Sequence, residues 1–156
     1  MTLDSQQTEI LGRQLLIHQI VSAGFEVALP IRDRGVDLVV YSDLVDDTTE
    51  FVSVPIQMKA ATRASFSIQQ KYAKISNLVL AYVWNVSSPQ RSEIYALRYP
   101  EAIGIGTRFG WDGRASWKHQ GRSVTNKPSA VLTECLQEYR ATPERWRDLV
   151  FGPGRE

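Results

Sequence analysis

The sequence predicts an α/β fold built on a mixed sheet, and three observations lead to this prediction. Apolar residues recur at helical spacing between positions 4 and 24. Runs rich in Val, Ile, Leu and aromatic residues follow, and polar segments separate them into strands over 25–29, 34–41 and 51–59. A longer apolar run over 77–84 is typical of a strand that is buried on both faces, in a central or parallel position.

Length and composition are those of an ordinary globular protein. The chain has 156 residues, of which 43% are hydrophobic and 22% charged, so it can bury a core. We predict a single domain over 1–156, with a core over about 5–100 and a helical extension over about 101–156. Because the formal net charge is only +1, any contact with a nucleic acid has to come from a local basic patch.

Cysteine usage and hydropathy predict a cytoplasmic protein that does not enter a membrane. The single cysteine, Cys135, excludes an internal disulfide and is compatible with a reducing compartment. The first residues carry no basic stretch followed by an apolar run, as a signal peptide would. No apolar window reaches the length of a membrane-spanning helix.

The first helix is predicted to begin with Asp4 or Ser5 as its cap and to stop at Gly24. Glu9 lies off the predicted apolar stripe, where an acidic residue favours the amino end of a helix. We interpret His18 as packed with the core and not as a ligand. The predicted stripe consists of Ile10, Leu11, Gln14, Ile17, His18 and Val21, widened by Leu15, Leu16 and Ile20.

The second and third strands are predicted to form an antiparallel hairpin that turns near Asp46 and Asp47, so that facing residue numbers sum to about 94. This register places Asp37 opposite Gln57, with Lys59 two residues further along the same polar side. A carboxylate, an amide and an ammonium therefore converge on one candidate site. The opposite, apolar side would hold Val36, Leu38, Val40, Val54, Ile56 and Met58.

The rest of the chain predicts further strands and helices. Pro55 costs a ladder hydrogen bond and predicts an edge or a bulge. Residues 60–67 are interpreted as a small polar segment, 69–76 as a short helix and 93–98 as a fifth strand. Helices are predicted from 100, over 128–139 and after the Thr142 cap with Pro143 at the first helical position. The turn-rich segment 111–121 is expected to pack against the body.

Three sequence features, taken in order, bring a known family into view. They are Glu9 in the first helix, Gly35-Val36-Asp37 at the start of one strand and Gln57-Met58-Lys59 at the end of the next. This arrangement resembles the PD-(D/E)xK nuclease superfamily, and more narrowly its Gln-x-Lys members, such as Mrr-like restriction endonucleases and some small homing endonucleases. The resemblance covers roughly residues 8–84. It departs from most of the superfamily at Gln57, where Asp or Glu is usual.

The resemblance implies a restriction-endonuclease-like core: helix 1, a three-stranded meander, a helix and further strands, here with C-terminal helices. It also implies a metal-dependent DNA endonuclease whose catalytic residues are Glu9, Asp37, Gln57 and Lys59. Mg²⁺ or Mn²⁺ would be held by Asp37, Gln57, the Met58 carbonyl and Glu9, since such ions prefer oxygen ligands. The ion would activate water and neutralise developing charge, while Lys59 would orient the water or stabilise the transition state.

Binding to DNA would use basic residues around this site. The expected phosphate contacts are Arg13, Arg32, Arg34, Arg63, Lys71 and Lys74. Cutting both strands of a duplex needs two sites, so we predict a homodimer or a higher even oligomer.

Two other interpretations of the same residues stay open. Asp37 and Lys59 would form a weak surface ion pair if this were an ordinary polar sheet face. Alternatively, the chain would be a nuclease-fold module that no longer cuts and serves in DNA binding or protein interaction. The near-neutral net charge favours this second interpretation, whereas the presence of all four site residues favours the enzyme.

Overall fold

The computed structural model describes residues 2–43 and 50–154, which form a mixed α/β domain. Seven strands occur in these residues: β1 (Glu26–Ala28), β2 (Leu38–Tyr41), β3 (Ser53–Ala60), β4 (Phe66–Gln69), β5 (Val79–Trp84), β6 (Glu93–Arg98) and β7 (Arg122–Thr125). The main sheet has the order β1-β2-β3-β5-β6, and β4 pairs with β7 in a separate two-stranded sheet. The predicted α/β class with a mixed sheet is confirmed.

The α-helices in the described residues are α1 (Ser5–Ser22), α2 (Tyr99–Arg108), α3 (Ala115–Gln120), α4 (Ala130–Leu136) and α5 (Pro143–Phe151). A 3₁₀ helix, Gln70–Lys74, follows β4, as predicted for this segment. None of the helices in these two ranges is long and apolar enough to cross a membrane.

The predicted register of the β2–β3 hairpin is confirmed. Leu38 faces Ile56 and Tyr41 faces Ser53, without interruption between them. Of the predicted apolar side, Val36 is half-buried and the others are buried, namely Leu38, Val40, Val54, Ile56 and Met58. The turn predicted near Asp46 and Asp47 lies outside the described residues.

Pro55 causes no bulge, contrary to one of the two expectations for this position. It faces Val39 within the continuous register of β2 and β3. The parallel pairing of β3 with β5 starts only at Ile56, which faces Val79. Pro55 therefore lies where β3 has a strand on one side only, so its missing N–H leaves no gap between two strands.

The predicted central strand is β5, which is buried along its whole length. It runs parallel to β3 and antiparallel to β6, so the sheet is mixed. Alternate residues of β5 contribute to two cores on opposite faces of the sheet. One core includes side chains of α1 and α5, and the other includes side chains of β4, α2 and α4.

The predicted buried stripe of α1 is confirmed only in part, since Leu15, Leu16, Ile17 and Ile20 belong to the core or pack against it, whereas the predicted cap is confirmed in full. Asp4 accepts a hydrogen bond from the backbone N–H of Gln7, whose side chain accepts one from Asp4. The fully buried positions are Gly12, Leu16 and Ile20. The predicted stripe residues Ile10, Leu11 and Val21 are exposed, and so is His18, which we had interpreted as packed with the core.

A close contact with β3 explains which side of α1 is buried. Apolar residues occur all around this helix, so their periodicity does not select one face. Gly12 does, because a Cβ atom there would overlap the Cβ of Ala60 in β3. The helix can approach the strand only along the face that carries the glycine, which places Glu9, about one turn earlier, beside the end of β3.

The C-terminal part is helical, as predicted, but it also contains a strand that the sequence did not predict. This strand, β7, pairs with β4, which lies partly in the segment interpreted as small and polar. The last helix closes the first core with Trp146, Leu149 and Val150. Gln19 of α1 accepts a hydrogen bond from the indole N–H of Trp146.

Candidate functional site

The residues predicted for the site line one cavity of about 350 Å³. It lies between the first turns of α1, the loop before β2, the carboxyl half of β3 and β4. The predicted residues that it brings together are Glu9, Asp37, Gln57, Met58 and Lys59. Asp33, Ser65 and Ser67 also line it and were not predicted to be site residues.

Three carboxylates form a cluster in this cavity. One oxygen each of Glu9, Asp33 and Asp37 lies within 4.8 Å of the other two. Asp33 is brought there by the turn before β2, where the N–H of Gly35 donates to its carboxylate and Gly35 has a φ of +98°. The sequence did carry a signal for Asp33. It is an acidic residue four positions before Asp37, in a turn that ends with glycine.

Asp37 is anchored to the sheet and is only 8% exposed. Its N–H donates to the carbonyl of Ile56 at 2.8 Å, and its Oδ2 accepts from the N–H of Met58 at 2.6 Å. Burial raises the pKa of the Asp37 carboxyl; the Met58 hydrogen bond opposes this, and the charges of Asp33 and Glu9 add to it. A cation at the cluster would relieve both the repulsion and the cost of burial.

Gln57 contacts Asp37, as the register predicted. Its Nε2 donates to Oδ2 of Asp37 at 2.8 Å, and it lies 3.4 Å from the Met58 carbonyl. In this orientation the amide N–H of Gln57 orients the Asp37 carboxylate, and the amide oxygen is not offered to a cation at the cluster. Rotation of the amide by 180° exchanges the two atoms, so that Oε1 would face the cluster, and this choice is set by the surrounding donors and acceptors.

Lys59 lies beside the carboxylates and is held by a residue that sequence reasoning did not assign to the site. Its Nζ donates to the hydroxyl of Tyr72 at 2.7 Å, and Tyr72 is 5% exposed. Burial lowers the pKa of Lys59, and the negative charge of Asp37 opposes that change. Tyr72 is the only aromatic residue of the short helix after β4. Its place in the site depends on its burial, which the sequence alone did not reveal.

Glu9 is paired with a cation that we had predicted to contact DNA. The guanidinium of Arg13 lies 2.5 Å from the Glu9 carboxylate, whose side chain is half exposed. Arg13 therefore forms an ion pair with Glu9, and its contact with a phosphate stays a prediction.

The other basic residues predicted to contact phosphates are exposed, and they come from different segments of the chain. Arg32 and Arg34 flank Asp33 in the turn before β2, and Lys74 ends the 3₁₀ helix. Lys71 lies over the ring of Tyr72, with its Nζ 5.2 Å from the ring centre. Arg63 lines a neighbouring groove that shares Ser65 with the site cavity.

Comparison of the chain with protein-family models, curated proteins and solved structures found no match in any of the three. The function has to be inferred from the site. Its carboxylate oxygens, with the Met58 carbonyl in the same cavity, suit a hard divalent cation. The partly buried ammonium of Lys59 lies in the same cavity, where it is positioned to act on an anion that the cation also contacts.

Proposed function

We propose that this chain is a metal-dependent endonuclease that hydrolyses phosphodiester bonds in DNA, built on a restriction-endonuclease-like core. One observation carries the proposal: the carboxylates of Glu9, Asp33 and Asp37 lie within 4.8 Å of one another, in a cavity that also holds Lys59. An acidic cluster beside a partly buried lysine combines a site for a cation with a group that attracts a phosphate.

The ion that best fits is Mg²⁺ or Mn²⁺. Both take oxygen ligands, and Mg²⁺ retains several water molecules when few protein ligands are available. Glu9, Asp33 and Asp37 would hold the ion, and Gln57 and the Met58 carbonyl would add neutral oxygens once the amide has turned. When bound, the ion supplies a nucleophilic water and charge neutralisation at the phosphate.

The protein's own side chains have separate roles beside that of the ion. Asp37 fixes the position of the site, because its backbone and side chain are both bonded to β3. Arg13 keeps Glu9 directed towards the cavity through their ion pair. Lys59 places a positive charge beside the scissile phosphate, where negative charge grows in the transition state, and Tyr72 holds its ammonium group.

The chain path supports the same proposal. Helix α1 precedes an antiparallel meander of β1, β2 and β3, and β5 then pairs in parallel with β3. This order agrees with the resemblance as far as β3. Between β3 and β5 the chain forms β4 and a 3₁₀ helix, where the resemblance implies a helix alone. Cleavage of both strands requires two copies of the site, so the proposal includes a homodimer or a higher even oligomer.

A second candidate function is that of a module that binds DNA or protein without cutting. The hydrogen bonds to one carboxylate oxygen favour it. Gln57 and Met58 both donate to Oδ2 of Asp37, which satisfies this oxygen without a cation. If the amide cannot turn, the site loses a ligand and the fold is left as a binding module.

Nuclease assays on supercoiled and linear DNA with Mg²⁺ or Mn²⁺ separate the two candidates. The wild type should nick or cut DNA, and calorimetry should detect metal binding that Asp37→Ala abolishes. Lys59→Ala should bind the metal and lose most cleavage, with only a slight loss of DNA affinity. A wild type that neither cuts nor binds metal at millimolar concentration overturns the enzyme proposal and leaves the binding module.

A further inference from the structure

The strand β4 has two chemically different sides. Phe66 and Ile68 are buried in the second core, whereas Ser67 and Gln69 alternate with them and are only partly buried. Polar residues continue on both sides of the strand, with Arg63 and Ser65 in the segment before it and Lys71 in the 3₁₀ helix after it. These five polar residues, here called the β4 face, comprise two hydroxyls and an amide, with a cation at each end of the segment.

The β4 face is continuous with the carboxylate cavity. Ser65 and Ser67 line that cavity directly. Ser65 also lines an adjoining groove of about 330 Å³, together with Arg63 and Asn126, and donates to the Asn126 amide oxygen at 3.4 Å. At the other end, Lys59 and Lys71 lie over the same Tyr72 ring, 5.1 and 5.2 Å from its centre.

Pairing with β7 widens the β4 face. Arg122 stands opposite Gln69, and Val124 stands opposite Ser67. Directly opposed residues of an antiparallel pair project from the same side of the sheet, so Arg122 adds a cation there. None of Arg63, Lys71 and Arg122 forms an ion pair within the described part of the chain.

We propose that the β4 face binds the sugar-phosphate backbone of the DNA strand that enters the carboxylate cavity. The inference rests on the proposed function and adds the path of the substrate. Hydroxyl, amide, guanidinium and ammonium groups are the donors that contact phosphate oxygens without reading bases. The five residues of the face include no carboxylate, in contrast to the adjoining cluster, and the one carboxylate that lines the groove beside Arg63 and Ser65 belongs to Asp4. The cations of the face would therefore attract the phosphates that flank the one held at the metal site.

The spacing of the face suits a polymer better than a single phosphate. Ser67 and Gln69 are alternate residues of β4, and alternate residues of a strand lie about 7 Å apart. The cations lie beyond them at either end, so one small anion cannot contact the whole face. A backbone with successive phosphates can, and each cation would then displace counterions from the DNA.

Binding of fluorescently labelled DNA, followed by anisotropy across a salt series, tests the inference. The assay uses the full chain in Ca²⁺ and, separately, in EDTA, with single-stranded and duplex arms. Arg63→Ala, Lys71→Ala and Arg122→Ala should each weaken binding and lower the slope of log affinity against log salt by about one. Ser67→Glu should weaken binding further, because it places a carboxylate in the path. The preferred arm identifies the form of DNA that lies on the face.

The matched control is Arg147→Ala, since Arg147 is an exposed cation on α5, on the opposite side of the main sheet. It should leave the slope unchanged, and Arg63→Lys should restore most of the affinity lost in Arg63→Ala. Circular dichroism melts verify that each variant is folded. The inference is overturned if the three cation variants behave like Arg147→Ala, or if the wild type binds neither form of DNA. Because no cleavage is measured, these outcomes are distinct from a failure of metal-dependent hydrolysis.

Discussion

The ammonium group of Lys59 donates a 2.7 Å hydrogen bond to the hydroxyl of Tyr72. Removing that acceptor in Tyr72→Phe leaves a partly buried charge with one partner fewer, so the pKa of Lys59 should fall further. We expect a lower kcat, little change in KM for DNA, and an alkaline limb of the kcat profile displaced to lower pH. Tyr99→Phe, at a half-buried tyrosine of α2, is the matched control. An unchanged pH profile in Tyr72→Phe would remove Tyr72 from its positioning role.

Asp37 gives the metal-free protein a definite pH dependence. Its pKa is raised in the folded state, chiefly by burial, so the folded state holds the proton more tightly than the unfolded chain. The free energy of unfolding should therefore fall as pH rises from the ordinary aspartate range through the raised pKa. Metal affinity should rise over the same window, because the ion competes with the proton. Denaturant titrations in EDTA and calorimetry with Mn²⁺ measure the two trends, and Asp37→Asn should flatten the first.

Gln57→Glu tests how the amide serves the site. The substitution adds a fourth carboxylate to the cluster of Glu9, Asp33 and Asp37. Without metal we expect a loss of about 1–3 kcal/mol of stability, because a donor to a buried carboxylate becomes an acceptor. With Mg²⁺ or Mn²⁺ present, the loss should be reversed and activity kept or its metal preference shifted. A variant that stays destabilised in millimolar metal, as measured by thermal melts, would contradict the assignment of the cluster as a cation site.

Gly12→Ala tests the contact that brings α1 to the site. The new methyl group would overlap Ala60, so the helix has to move away from β3. Overpacking of this kind costs about 1–3 kcal/mol, and Glu9 would move with the helix. We expect weaker Mn²⁺ binding by calorimetry together with a lower melting temperature. Gly104→Ala, at a helical glycine with open space around it, should leave metal binding intact.

The hairpin was predictable because a strand has an exact side-chain period of two. One choice of register placed Leu38, Val40, Val54, Ile56 and Met58 on one buried side of β2 and β3, and it brought Asp37 to Gln57 without further information. The face of α1 was not predictable in this way, since apolar residues surround the helix. Only the fit of Gly12 against Ala60 selects one side, and that contact joins residues far apart in the sequence.

Asp33 and Tyr72 were missed for a related reason. Each reaches the site through a tertiary feature. The turn that ends at Gly35 brings Asp33 to the site, and Tyr72 reaches it because its side chain is the buried one of a short 3₁₀ helix. The strand β4 was missed because its polar residues resembled a loop, and its partner β7 lies more than fifty positions further along the chain. Local sequence patterns identify the residues that face each other in the β2–β3 pair. They do not identify the side chains that other elements bring to the site.

The bond between Gln19 and Trp146 joins the first helix to the last one. Translation produces α1 well before α5, and α1 shares its core with Trp146, Leu149 and Val150 of α5. We therefore expect Glu9 to take its place in the carboxylate cluster only after α5 has left the ribosome exit tunnel. A nascent chain arrested before residue 143 should bind Mn²⁺ far more weakly than the released protein, as ribosome-bound chains of stepped length would reveal. The proposed cleavage of DNA would then begin only after α5 has been made.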